Sequence, residues 1–475
     1  MAGRIFMFFG LLALFGCGHP RQEVSFATTP QLVRDLDAIR ARGYLEALVD
    51  NNSVSYFIYK GRSMGYEYEL LKRLADHLKV ELKIRLISGI DEAFDKLNRG
   101  EGDIIAFPLT ITQERMQYAS FTQPLFTTHQ VLVQRKPSNW RRQLPLLTEK
   151  KMVRNPIELI GKEVHVLKSS SFKERLEHLS GEVGGQIIIH EDSANAESES
   201  LIRKVALGEI QFTVADQMMA QVNELYYPNI DVATVLSLPQ QIAWATRTNA
   251  PILLEETNRW LTDVTRQGVF QVIHNRYFNS PRFSVTLVSS DYSSLNSGKL
   301  SPFDEQLKAG AKLLGWDWRL LASVVFQESN FDPQVESWAG AVGLMQVMPE
   351  TGVHFGVTNL LDPQQNILVG VRFLKYLDDY WKKTVPDEDE RRKFVLASYN
   401  VGLSHIIDAQ KLSAKYRRKT DVWEGNVSYF LALKSEPKYY RDQVVAAGYC
   451  RCDGPVRYVK QVLQRFEEYK IHIAA

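Results

Sequence analysis

Trp318-Arg319-Leu320-Leu321-Ala322-Ser323-Val324-Val325-Phe326-Gln327-Glu328-Ser329 reads as one helix with a carboxylate set into its apolar face. Leu321, Val324, Val325 and Glu328 fall at i, i+3, i+4 and i+7, a single stripe at helical period. An ionised carboxylate is costly to bury, so a glutamate in such a stripe has its pKa raised and keeps a proton near neutral pH, as a general acid requires. Asp332-Pro333 is expected to end the helix and leave Glu328 near its mouth. An isolated glutamate at a helix end ordinarily frays into solvent. The surrounding sequence decides otherwise.

Working outward, Gln327-Glu328-Ser329 is followed by Gly340-Ala341-Val342-Gly343-Leu344-Met345-Gln346, then by Asn366 to Gly370, then by Ser398-Tyr399-Asn400 with Gly402. In that order and spacing these resemble the successive motifs of the soluble-lytic-transglycosylase family, over nearly all of Ser301 to Ala475. The resemblance implies an all-α, lysozyme-like domain that cleaves peptidoglycan. Glycosidic cleavage needs an acid on the leaving oxygen and stabilisation of an oxocarbenium-like centre, normally from two carboxylates. Only one carboxylate lies inside these motifs. In the family that glutamate protonates the leaving group and then takes the proton of the muramic acid C6 hydroxyl, so that a 1,6-anhydro end forms without water. By resemblance Glu328 takes both roles, Ser329 helps position the muramyl substituents, Met345 and Gln346 line the sugar cleft, and Tyr399 and Asn400 fix the glutamate and contact substrate. Small residues at Gly340, Ala341 and Gly343 let the backbone approach closely. Ser398 stands where the family has alanine. Arg457-Tyr458-Val459 resembles the closing tyrosine segment, which makes Tyr458 a further candidate, although Gly454-Pro455-Val456 replaces its usual acidic and hydroxyl residues.

Before this domain, from about Asp35 to Phe278, helical-period segments alternate with short β-like runs, an α/β pattern. The runs Glu81 to Ile87, Asp103 to Phe107, Gln130 to Gln134, Glu163 to Leu167, Gln186 to His190 and Ile242 to Thr246 read as strands. Tyr68 to His77, Ile90 to Asn98, Ser171 to Leu179, Glu197 to Leu207 and Ile252 to Gln267 read as helices, with Gly100, Gly208 and Gly268 as left-handed stops. Gly65 to Leu70, Leu97 to Asp103, Leu109 to Arg115 and Phe121-Thr122-Gln123-Pro124 resemble family 3 extracellular solute-binding proteins, a two-lobed α/β periplasmic-binding-protein fold that closes by hinge motion. Strands near Val131 and Ile242 are the expected hinge. The resemblance implies that Arg115 grips a ligand carboxylate through its two-pronged guanidinium, that Asp216 holds the ligand ammonium, and that Thr110 and Ser170 add hydroxyl or amide contacts, the latter at a helix start. The structural alternatives are an ion pair for Arg115 and a helix cap for Asp216. The basic stretch from Arg135 to Arg154 reads as a solvated loop.

A chain of 475 residues exceeds one hydrophobic core. The divisions expected are 1–16 signal peptide, 17–34 lipidated cysteine and tether, 35–279 solute-binding domain, 280–300 Ser-rich linker and 301–475 catalytic domain, opened by Ser301-Pro302 as cap and first helical residue. Arg4 precedes an apolar run ending in Leu14-Phe15-Gly16-Cys17, which resembles a bacterial lipobox with Cys17 as the lipidated residue; the other reading is an ordinary secretory signal. Several acyl chains would anchor the protein stably. Gly18 after Cys17 favours the outer membrane, facing the periplasm, by analogy with enteric sorting. Formal net charge is +2, which gives no field favouring nucleic acid. Cys450 and Cys452 form either a small-loop disulfide or two free thiols. No metal and no cofactor are expected. The expected partners are glycan strands, the membrane through the anchor, and an amino acid or muropeptide in the first module. A lipobox, a solute-binding module and this catalytic domain, in that order, resemble the membrane-bound lytic transglycosylases. Two other readings remain: an envelope binding protein or receptor with an inactive glycan-binding domain, and a lysozyme-like hydrolase in which an acid such as Glu336 positions water.

Overall fold

Apolar strands alternating with amphipathic helices build two α/β lobes, and an all-helical domain follows them; in this computed structural model residues 32–192, 198–280, 286–287 and 290–475 are described. The signal, Cys17 and most of the tether lie outside the described residues. In the first lobe, strand Tyr44–Val49 runs parallel to Glu81–Leu86 on one side and to Ile104–Thr110 on the other. Strand Gln240–Thr246 then pairs antiparallel with Ile104–Thr110 and carries Ser120–Phe121 at the edge. The second lobe orders its strands Ile188–Asp192, Glu163–Leu167, Phe212–Asp216, Gln130–Arg135 and Ile230–Val235. The two expected hinge strands therefore each belong to a single lobe, Gln130–Arg135 to the second and Gln240–Thr246 to the first. The lobes meet where these strands begin, with the Gln130 side-chain amide donating to Gln240 Oε1 at 2.8 Å.

Most expected elements recur with shifted ends. Strand Ile104–Thr110 extends past Phe107 because Thr110 stays in register with Ile242. Helix Tyr66–Leu78 starts two residues before the expected Tyr68, with buried Tyr66 and Glu67 in its first turn. Gly100 and Gly208 adopt φ of 76° and 83° and return their amides to the preceding turn, as left-handed stops do.

In the helical domain, Trp318–Ser329 has the bounds its periodicity gives, with Asp317 accepting from Arg319 N as its N-cap. Asn330 and Phe331, both left-handed at φ 52° and 62°, end it before Asp332-Pro333 is reached. Ser301-Pro302 lies in a turn ahead of helix Asp304–Leu314 instead of opening it; the Asp304 carboxylate accepts from the Leu300 and Ser301 amides and holds that turn. Helices Pro363–Trp381 and Glu388–Val401 complete the centre of the core, where Trp381 Nε1 donates to Ser398 Oγ at 2.9 Å. A serine at position 398 thus satisfies a buried indole that alanine would leave unpaired. Cys450 and Cys452 are bonded to each other directly before the last helix, Asp453–His472. His405 lies within 4.8 Å of both sulfurs, but the thiolates a metal would need are joined, and Lys434 Nζ donates to His405 Nδ1 at 2.9 Å.

The last helix also meets the first lobe. A short hairpin, Phe57–Tyr59 with Arg62–Met64, lays its turn on it, where Tyr469 Oη donates to Gly61 O at 2.8 Å and Ser63 Oγ to Glu468 Oε2 at 2.6 Å. A Cβ on Gly61 would stand 2.5 Å from the Phe331 ring, so the domains approach through a missing side chain. The described end of the Ser-rich stretch is docked on the same hairpin: Ser294 N donates to Ile58 O and Lys60 N to Tyr292 O, both at 2.8 Å, and Ser293 is fully buried.

Candidate active site and ligand cleft

Glu328 sits one residue before the end of its helix, partly exposed, with surroundings that strip it of water. Burial pushes its carboxyl from 4.5 up to about 7, against the opposing effect of a hydrogen bond from Tyr458, whose Oη donates to Glu328 Oε1 at 2.5 Å. Tyr458 is buried on the last helix, and its phenol is driven upward by burial and by the Glu328 charge, so it stays a donor. Tyr399 approaches from helix Glu388–Val401; its Oη donates to Met345 O at 2.6 Å, and burial followed by the Glu328 charge raises its phenol too. Both tyrosines therefore hold their protons through any pH at which Glu328 titrates.

The loop between Glu336 and Val347 is folded on itself by bridges from Val342 to both of those residues. Fully buried Asn366 clamps it, accepting from Met345 N and donating to Val342 O and Leu360 O, each at 2.8 Å. A Cβ on Gly343 would fall 2.4 Å from the Asn366 amide nitrogen, which explains the glycine there, itself at φ 77°.

The remaining expected residues take more specific positions. Ser329 is buried, its hydroxyl 2.9 Å from Leu344 O and 3.1 Å from Val325 O, so it ties the Glu328 helix to the loop. The Met345 side chain is also fully buried, packed where a Cβ on Gly370 would touch its sulfur. Met345 does not line a cleft; it reaches the site through its carbonyl. Gln346 is left-handed at φ 48° and spends its amide on Val335 O and Gly343 O, both at 3.0 Å. Asn400 is exposed near its helix end, and Glu336 is exposed on the loop. The motif reading gives no role to Asn366 or to Trp338, which is wholly exposed on the same loop.

In the first module Arg115 is buried, and burial lowers its guanidinium to about 10. It forms no ion pair among the described residues; its donors reach Thr110 O at 3.0 Å and, across the lobes, Ser169 O at 3.4 Å. Asp216 does cap helix Gln217–Tyr226, accepting from Met218 N at 2.9 Å, while burial holds its carboxyl up at about 6. Ser170 precedes helix Ser171–Val183, but its hydroxyl turns back to Leu167 O at 2.6 Å; Ser171 Oγ is the one that meets Thr110 Oγ1, at 3.4 Å. Asp50 and Glu199, neither of which stands in a motif, face each other from opposite lobes. Burial raises both, Asp50 to about 6 with the Glu199 charge adding to the effect. Ser53 and Asn223 donate to Glu199, and Asn52 to Asp50, but among the described residues no lysine or arginine pairs with either acid. The sequence signal is the run Asp50-Asn51-Asn52-Ser53 directly after a strand.

Comparison with known proteins finds relatives of both parts of the chain. Residues 306–422 match the family described as Transglycosylase SLT domain, and residues 45–280 match bacterial extracellular solute-binding proteins, family 3. A protein of Desulfosudis oleivorans named membrane-bound lytic murein transglycosylase F is 34% identical over 440 residues, 92% of each chain. One of Pseudomonas fluorescens with the same name is 32% identical over 435 residues, 91% of this chain and 86% of that one. Among solved structures, an amino acid ABC transporter substrate-binding protein from Streptococcus pneumoniae, bound to L-arginine, covers 52% of this chain and 99% of its own, at 18% identity and a TM-score of 0.44. With both domains present in order and the likeness running through more than nine-tenths of its length, the chain belongs to the membrane-bound lytic murein transglycosylase F family.

Proposed function

We propose that Glu328 is the acid and base with which this lytic transglycosylase cuts the β-1,4 bond between MurNAc and GlcNAc. The observation that carries the reading is a carboxyl pushed up to about 7 while a tyrosine that stays protonated holds it. At neutral pH a substantial share of Glu328 is protonated, and the ionised share is a competent base. Its proton goes to the departing GlcNAc O4 as the bond to MurNAc C1 breaks. The resulting carboxylate then takes the C6 hydroxyl proton as C6–O attacks C1, closing the 1,6-anhydro ring and returning Glu328 to its acid form. Tyr458 directs Oε1, Tyr399 holds the Met345 carbonyl at the cleft wall, and Ser329 locks the loop to the catalytic helix. Asn400 is a substrate contact from its exposed helix end, and Gln346 supports the loop's shape. Anhydro-muramyl products from the intact protein, and none from Glu328→Gln, would support the reading; reducing ends would favour the hydrolase.

The first module is a binding site for an amino acid or a peptidoglycan stem peptide. Arg115, a buried cation, and Asp216, a carboxylate stripped of water, each make no ion pair among the described residues and suit the two ends of a zwitterion. Binding biases the catalytic domain through a continuous route: Ser53 at the lobe interface, the hairpin Phe57–Met64, and the last helix, whose Tyr458 holds Glu328. Lipidation at Cys17 and an outer-membrane location belong to the same proposal and rest on the lipobox resemblance. Equal cleavage rates with and without stem peptides and amino acids would sink the regulatory part, since coupling needs a differential effect.

A further inference from the structure

The second lobe carries a surface that neither ligand binding nor catalysis uses. Between Arg135 and Lys162 stand eight lysines or arginines against two glutamates, a net charge of +6. Within the same stretch Leu144, Leu146 and Leu147 are 70%, 66% and 47% exposed, and Ile157 and Ile160 are exposed beside them. Three leucines in four residues are turned to water around the short helix Pro145–Glu149, and they belong to none of the hydrophobic cores among the described residues. Arg154 is committed to Glu149 and Asp231. Arg141, Arg142, Lys150 and Lys151, by contrast, make no ion pair among the described residues.

Aromatic and basic groups are also arranged together here. Lys136 Nζ and the Arg141 guanidinium both stand over the Trp140 ring, each 5.1 Å from its centroid. A cavity of about 480 Å³ opens beside it, lined by Trp140, Arg141, Arg142 and Asn229. A neighbouring one of about 540 Å³ is lined by Arg135, Lys136, Lys151 and Lys162, with Glu209 on its wall.

We propose that this face of the second lobe, centred on Trp140 to Lys151, is a contact surface for an anionic phospholipid bilayer. The chemistry matches layer by layer. Leucines enter the acyl boundary, the indole sits at the headgroup level, and unpaired lysines and arginines meet lipid phosphates, with the two basic cavities as headgroup seats. A soluble polyanion such as a glycan strand would use the charges and leave the leucines in water, which is why the bilayer is the better fit. The contact is separate from any lipid on Cys17 and would orient the module on the membrane.

The test uses a chain beginning at Gly18, which keeps every described residue and has no acyl anchor. It is sedimented with vesicles of phosphatidylethanolamine mixed with phosphatidylglycerol, with vesicles of phosphatidylcholine alone, and with purified peptidoglycan. Binding to the anionic vesicles that weakens with salt is expected. Arg141→Glu with Arg142→Glu should reduce it at least about twentyfold, at about fivefold for each basic residue lost. Leu144→Ser with Leu146→Ser and Leu147→Ser should reduce it about tenfold or more. Both variants should cleave peptidoglycan in solution at the parent rate, which shows that they fold. The proposal is overturned by absence of binding to anionic vesicles, by binding that both variants retain, or by variants that lose affinity only for peptidoglycan.

Discussion

Replacing Glu328 with glutamine should stabilise the protein at alkaline pH while abolishing its activity, because the site raises a carboxyl from 4.5 to about 7. A group whose folded pKa exceeds its unfolded value holds its proton more tightly in the fold. Its ionisation therefore costs stability, starting as pH rises above 4.5 and complete once pH passes about 7. At ~1.4 kcal/mol for each tenfold change in proton affinity, the cost reaches ~3 kcal/mol, an upper figure because Glu328 is partly exposed. Glutamine keeps an oxygen for Tyr458 and carries no charge. At pH 4 the two proteins should therefore unfold alike, and at pH 8.5 the glutamine variant should gain up to ~3 kcal/mol. Calorimetry of the intact chain, following the transition of the helical domain, reads this as a rise of several degrees at the higher pH alone. A variant less stable at both pH values, or equal at both, would refute the claim that burial of this carboxylate is what tunes it.

Tyr458→Phe removes the hydrogen bond that lowers Glu328, so the alkaline limb of the pH–rate profile should move to higher pH and the rate at neutral pH should fall, because the free carboxylate is no longer directed; a profile that keeps its limbs would contradict this. Arg115→Met or Asp216→Asn should abolish binding of amino acids and stem peptides by calorimetry and leave unstimulated glycan cleavage unchanged. Loss of cleavage without ligand would instead show a structural role. Gly61→Ala places a Cβ against Phe331 and Tyr469 at a φ of 74°, and is expected to loosen the domain contact by ~1–3 kcal/mol. Faster proteolysis between the domains and a smaller effect of module ligands on cleavage would be the signs; unchanged values for both would remove the hairpin from the coupling route.

What the sequence disclosed depended on how local the signal is. The stripe from Leu321 to Glu328 is a periodicity within one helix, and its bounds came out as Trp318–Ser329. The bond from Tyr458 to Glu328 spans 130 positions and is made by two helices packing together, so the motif suggested a tyrosine without saying what it holds. Strand Tyr44–Val49, interior to its sheet, does not read as a strand in the sequence because Glu46 interrupts the apolar run; its carboxylate is matched by Arg85 on the adjacent strand at 2.7 Å, a partner that only the sheet supplies. From their motifs Met345 reads as lining the sugar cleft and Ser329 as positioning the muramyl substituents, yet both side chains are buried. Motif position marks importance to the site, whereas the direction of a side chain is set by tertiary packing. The basic stretch after Arg135 read as a solvated loop because charge counts say nothing of where leucines point.

The central claim is that one carboxylate, Glu328, cleaves glycan without water. Mass spectrometry of peptidoglycan digested in ¹⁸O-labelled water tests it most directly. Intact protein should release 1,6-anhydro-muramyl ends free of solvent oxygen, with Glu328→Gln releasing none. Labelled reducing ends, or anhydro ends that persist in the variant, would contradict it.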